Sequence, residues 1–178
     1  MSESTLSGAP VCADRFRSVL SHYPTGVVLV TAPPPAPARS PERPPVPTQP
    51  PPAMVVGTFT SVSLDPCLVG FLPAKSSTSW PQIRAAGRFC VNVLAADQHQ
   101  VCRSFAARAP DRWEVPYRLT PAGCPALLGA LAWLDCEPAG EVDAGDHWFV
   151  TATVRDLAVQ RTGPPLVFLR GGYGRGVA

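Results

Sequence analysis

Apolar and polar positions change their rhythm along the chain in a way that separates strands from helices. Val27 to Thr31 reads VVLVT, an unbroken β-branched run of the kind a strand buried on both faces carries. Similar runs follow as MVVGTFTSV, CLVGFL, FCVNVL, LAWLDCE, HWFVTATVRDL and LVFLR. Between them the period changes. Phe16, Val19, Leu20 and Tyr23 fall at i, i+3, i+4 and i+7, the stripe of a short amphipathic helix. A second helix is predicted from Ser79 to Ala86, with Ser79 as cap, Pro81 in the first turn and Gly87 as the stop. A third runs from Asp97 to Ala107, with Asp97 as its cap and Val101 and Phe105 on one face. Strands outnumber helices and no βαβ alternation is visible. The expected fold is therefore mainly β with helical insertions, an antiparallel sheet curling into a barrel.

One segment breaks the pattern. Pro33 to Pro52 holds 11 prolines in 20 residues, which no sheet ladder tolerates because proline lacks the N–H donor. Only about 30 residues precede it, too few for a domain. It is read as a loop insertion at 33–52 between two strands rather than a linker, and its P-x-x-P matches as incidental. Residues 1–13 form a polar, flexible N-terminus, and 14–178 one domain.

Composition narrows the function. The chain has 178 residues, a net charge of +2 and 16% charged residues, so it offers no basic field for nucleic acid. No apolar run spans a membrane and no signal peptide is read, which points to the cytoplasm. The six cysteines lack the paired spacing of a zinc site. Cys67, Cys90 and Cys136 sit in apolar strands and are expected to act as small buried hydrophobes.

Small hydroxyls cluster at both ends of the strand CLVGFL. Thr58, Thr60, Ser61 and Ser63 precede it, and Ser76, Ser77, Thr78 and Ser79 follow, beside Lys75, the only lysine. Lys75-Ser76-Ser77-Thr78 before a helix suits a phosphate, which takes hydroxyl and amide donors, a cation and a helix N-terminus. A capped turn explains the same residues. Gly57 to Ser63 alternates hydroxyl and apolar residues, as a ligand-facing strand or a solvent-facing edge does.

Taken in order, FRSVLSHYPTGVVLVTA, TFTSVSLDP, SSTSWPQIR, GRFCVNVLAADQ, GDHWFV and PLVFLRGGY resemble the flavin reductase domain family. The resemblance covers about residues 14 to 173. It implies an FMN-binding split β-barrel, usually a homodimer, that reduces FAD or FMN with NADH or NADPH and supplies a separate flavin-dependent monooxygenase. By this resemblance Val56, Gly57, Thr58, Ser61, Val62 and Ser63 hold the isoalloxazine ring and ribityl chain. Lys75, Ser76, Ser77 and Thr78 take the phosphate, and Asn92, Phe105 and Ala106 line the cleft. His147, oriented by Asp146, positions the nicotinamide, and Tyr173 covers the ring or packs on a partner subunit. The chain departs from the family at Val55 and Gly57, where hydroxyl or amide side chains are usual. Two side-chain contacts to the ring are thereby replaced by backbone. A flavin carrier or sensor of the same barrel is the alternative these departures support.

Overall fold

The computed structural model describes residues 11–35 and 49–176. The expectations for residues 1–10 and for the middle of the proline insertion, 36–48, lie outside the described residues. Helix α1 is Ala13–Leu20, followed by strands β1 (Thr25–Gly26), β2 (Val28–Thr31), β3 (Ala53–Val56), β4 (Thr60–Leu64) and β5 (Cys67–Phe71). Helix α2 (Trp80–Ala85), β6 (Phe89–Val93) and α3 (His99–Ala106) come next. The chain closes with β7 (Tyr117–Leu119), β8 (Pro125–Leu127), β9 (Ala132–Ala144), β10 (His147–Val159), β11 (Leu166–Leu169) and β12 (Gly172–Arg175).

Seven strands form one antiparallel sheet in the order β3-β2-β6-β9-β10-β5-β4. The strands β1, β11 and β12 form a second sheet, and β7 pairs with β8. Mainly β architecture with helical insertions is therefore what the chain adopts. The large sheet is not closed: β3 and β4 are its two edges, and no ladder joins them. These edges are nevertheless consecutive in the chain, linked only by Gly57, Thr58 and Phe59.

That link is where one predicted strand becomes two. MVVGTFTSV breaks after Val56, and the Leu72 amide donates to Thr58 Oγ1 at 2.9 Å instead of to a ladder carbonyl. The predicted helices are present, α2 and α3 shorter than expected and α1 displaced so that it begins at Ala13 and ends before Tyr23. Asp97 does not cap the third; it pairs with Arg161, and Gln98 Oε1 accepts the Ala95 amide at 3.1 Å.

All four residues of β2 are buried, and they alternate between two cores as a strand's period of two requires. Val28 and Val30 point into a core with Phe71, Trp80 and Phe89, whereas Leu29 packs with Cys102, Phe105 and Leu127. Phe71 meets Trp80 and Phe89 edge to face, at centroid distances of 5.4 and 5.7 Å. This aromatic cluster seats α2; truncating Phe71 to Ala costs about 3–5 kcal/mol.

Cys90 and Cys136 are buried, and burial pushes the Cys136 thiol up to about 12, so it stays a neutral hydrophobe. Cys67 corrects the expectation: it is the first residue of β5, next to the edge strand β4, and is exposed. All six cysteines are free. Among the described residues no helix is long and apolar enough to cross a membrane, and no side-chain cluster could hold a metal.

Candidate functional site

The open side of the sheet carries a cleft of about 550 Å³. One wall is β3 with Gly57 and Thr58, the second is the loop from Leu72 to Ser79, and the third is the end of α3 at Phe105, Ala106 and Arg108. His147 reaches it from the start of β10. Its size suits a small-molecule ligand.

The loop and the histidine are held in one unit. Strands β9 and β10 are joined by the two-residue turn Gly145-Asp146, with Gly145 at φ 74°, where glycine carries no Cβ penalty. The Lys75 amide donates to Asp146 O at 2.9 Å, and the Trp148 amide donates to Pro73 O at 3.0 Å. A bridge between Ala74 and His147 lies between those bonds. The hydroxyl loop is thus an extension of the sheet, and its position is tied to that of His147.

Within the loop the hydroxyls differ. Ser77 Oγ accepts the Trp80 amide at 3.2 Å and so caps α2 in place of Ser79, whose side chain makes no cap bond. Its own proton remains free to donate. Ser76 lines the cleft and is exposed. Thr78 is exposed and does not line the cleft; its carbonyl accepts from Gln82 Nε2. The amides of Gly57, Thr58, Phe59, Ser76 and Thr78 donate to no backbone carbonyl among the described residues. The Gly57, Thr58 and Ser76 amides, with the Ser76 and Ser77 hydroxyls, leave the cleft with donors for an acceptor-rich ligand.

Lys75 is placed differently from its expected role. Its Nζ lies 2.6 Å from Asp143 Oδ2 and 4.8 Å from the centre of the Trp148 ring, outside the cleft lining. That pairing holds the Asp143 carboxyl below the ordinary carboxylate value. The Lys75 charge is spent on bracing the β9–β10 hairpin.

His147 Nδ1 lies 2.6 Å from Asp146 Oδ1. The hydrogen bond from His147 depresses the Asp146 carboxyl, so this partner stays ionised and orients the ring.

Asn92 does not reach the cleft. It is fully buried, donates to Leu29 O and Thr31 Oγ1 at 3.1 and 3.2 Å, and accepts the Leu127 amide at 2.7 Å. It bolts β6 to β2 and β8. A polar side chain in a strand buried on both faces must find partners inside the protein, and these are its partners.

Ser61, Val62 and Ser63 lie on β4, beyond the cleft lining, with an irregular register against β5 at that point. Tyr173 lines a separate hollow of about 690 Å³ with Arg103 and Arg161, and its ring meets Phe168 at 5.3 Å. Burial and a hydrogen bond with Cys102 push its hydroxyl up to about 12.

The sequence reading missed Arg108. It follows α3 at φ 53°, where a residue other than glycine pays roughly 1–2 kcal/mol.

Edge strand β3, the hydroxyl-bearing loop and the end of α3 thus meet around one cleft in a small, mainly β protein. The chain belongs to the flavin reductase like domain family, whose model matches residues 20–176. It is 48% identical over 160 residues to a flavin reductase of Pseudomonas putida, covering 89% of this chain and 87% of that protein. It is 38% identical over 179 residues to the flavin-dependent monooxygenase reductase subunit HsaB of Rhodococcus jostii, covering 97% and 85% respectively. Among solved structures it resembles the NADH:FAD oxidoreductase SgcE6 of Streptomyces globisporus, in complex with NAD and FAD fragments. That match has a TM-score of 0.80 at 27% identity and covers 95% of this chain and 98% of that one.

Proposed function

We propose that this chain is an NAD(P)H:flavin oxidoreductase that reduces FAD or FMN and hands reduced flavin to a separate flavin-dependent monooxygenase. The observation that carries this is the joining of the hydroxyl loop and His147, through the Gly145-Asp146 hairpin, on one wall of a single cleft. The flavin supplies the redox chemistry, accepting hydride from the nicotinamide and passing electrons onward. The chain's part is placement. Gly57, Thr58 and Phe59 offer backbone amides to the ring edge, so the side chains absent at Val55 and Gly57 are not needed for every contact. Ser76 and Ser77 donate to the phosphate, and Phe105 and Ala106 form the apolar wall opposite. His147 holds the nicotinamide amide near the ring, and Asp146 fixes its orientation.

We further propose that the open sheet is the FMN-binding split β-barrel of the family, supported by edges only three residues apart in sequence. Residues 14–178 then act as one domain with 33–52 as an insertion. The working form is a homodimer: α1 buries none of its own residues, yet Phe16, Val19 and Leu20 are exposed along it. An eight-residue helix of that kind is too short to persist without a surface to cover it. The six free thiols suit the reducing cytoplasm.

Steady-state oxidation of NADH and NADPH with FAD, FMN and riboflavin tests the assignment. Flavin-dependent turnover is expected with at least one nucleotide. Tight flavin binding with no oxidation of either nucleotide would make the chain a flavin carrier instead.

A further inference from the structure

The phosphate end of the cleft needs a cation, and the lysine beside the hydroxyl loop is already held by Asp143 and stacked over Trp148. Among the described residues one arginine lines the cleft, Arg108, in the company of Ser76, Ser77 and Ser79. Among the described residues no carboxylate lines that cleft and Arg108 has no acidic partner.

The backbone at Arg108 is a second, independent sign. After α3 the Arg108 amide donates to Phe105 O at 3.2 Å and the Ala109 amide donates to Ser104 O at 2.9 Å. This is the paired-bond helix ending in which the left-handed position normally belongs to glycine. Here an arginine occupies it at φ 53°. Unfavourable backbone kept at the rim of a ligand cleft marks a side chain wanted for its chemistry. Arg112 Nη1 donates to Arg108 O and Ala109 O at 3.3 and 2.9 Å, which steadies the turn.

We infer that Arg108 is the guanidinium that grips the flavin phosphate, making it the residue by which this chain prefers phosphorylated flavins to riboflavin. The inference rests on the flavin-binding part of the reading above. A guanidinium meets two phosphate oxygens at once, while Ser76 and Ser77 donate from the opposite wall. Lys75 is a brace, not a ligand.

The test is a fluorescence titration of FMN and of riboflavin into the wild-type chain, Arg108→Gly and Lys75→Met, with thermal melts of each. In Arg108→Gly the preference for FMN over riboflavin, read as the ratio of their Kd values, is expected to fall about ten- to a hundredfold. Its Tm should hold or rise, because glycine suits the left-handed turn. Lys75→Met should lower Tm and leave the ratio in place. An unchanged ratio in Arg108→Gly, or a wild-type chain with no preference for FMN, overturns the inference. So does an Arg108→Gly effect confined to the NADH requirement, since the guanidinium would then serve the nicotinamide nucleotide. Because the readout is binding, a chain that binds FMN but oxidises no NADH sinks the reductase assignment and leaves the Arg108 result standing.

Discussion

Ser77 does two things with one side chain: its oxygen caps α2 through the Trp80 amide, and it lines the cleft with its hydroxyl proton left to donate. Ser76, one residue earlier, lines the cleft without capping anything. The two alanine variants should therefore separate. Ser77→Ala is expected to lose about 1 kcal/mol of stability and to weaken FMN binding, whereas Ser76→Ala weakens FMN binding with Tm unchanged; melts and FMN titrations read both. For His147→Ala, slower flavin reduction and a higher NADH requirement are expected in stopped-flow experiments, with FMN affinity little changed. A rate that ignores the substitution would remove His147 from the nicotinamide site.

Asp135 gives a pH prediction. Burial pushes its carboxyl above the ordinary 3.8, outweighing the hydrogen bonds from Thr120 Oγ1 and the Ala122 amide. The folded chain then holds this proton more tightly than the unfolded chain, so stability falls as pH rises from 3.8 to the folded value. The Tm of the wild type should drop relative to Asp135→Asn across that window, and a constant difference would show that Asp135 titrates as it does in the unfolded chain. At this scale the sequence revealed residue types better than their duties. Lys75 stood next to three hydroxyls, but its true partner Asp143 is 68 residues away, and no local pattern announces that. Asn92 lay in a run too apolar for a ligand-facing strand, a sign that weighed less than the family resemblance.

Elements were legible where an apolar run was unbroken or a helical stripe complete. The apolar runs became β2, β5, β6, β10 and β11, and the helical stripes became α1, α2 and α3, each within a few residues, whereas β9 runs seven residues past the predicted LAWLDCE. Strands β1, β7, β8 and β12 escaped, since they are short and carry no continuous apolar run, and β8 opens with a proline. Each forms because a partner is supplied from elsewhere, as β11 supplies one to β1. The proline insertion is the clearest test at this scale. It leaves β2 and returns to β3 beside its own start, where the Ala32 amide donates to Pro52 O at 3.0 Å. Its roots at Pro34, Gln49, Pro50 and Pro51 lie with Trp113, Tyr117 and Leu119, none of which lines the cleft. Replacing residues 33–51 with a short glycine-containing turn should leave Tm and flavin reduction close to wild type, because the loop adds mainly closure entropy. Lost turnover in a folded variant would mean that the insertion reaches a partner.

For the molecule as a whole, the mainly β class was readable but not the order of the strands in the sheet or its opening, which depend on pairings between segments far apart in sequence. The proposed dimer is tested by sedimentation velocity: twice the 18.8 kDa chain mass is expected, with Val19→Glu on the exposed face of α1 shifting the chain toward monomer. The open sheet also has a bearing on handling. Strand β4, Thr-Ser-Val-Ser-Leu, is an uncharged edge with Leu64 88% exposed, and it carries none of the lysines or prolines that keep such edges from recruiting other chains. Concentrated ligand-free protein should accordingly aggregate edge to edge during storage, and Leu64→Lys should slow the rise in light scattering. An edge left without a neighbour inside the sheet is, in the bottle, an invitation to fibrils.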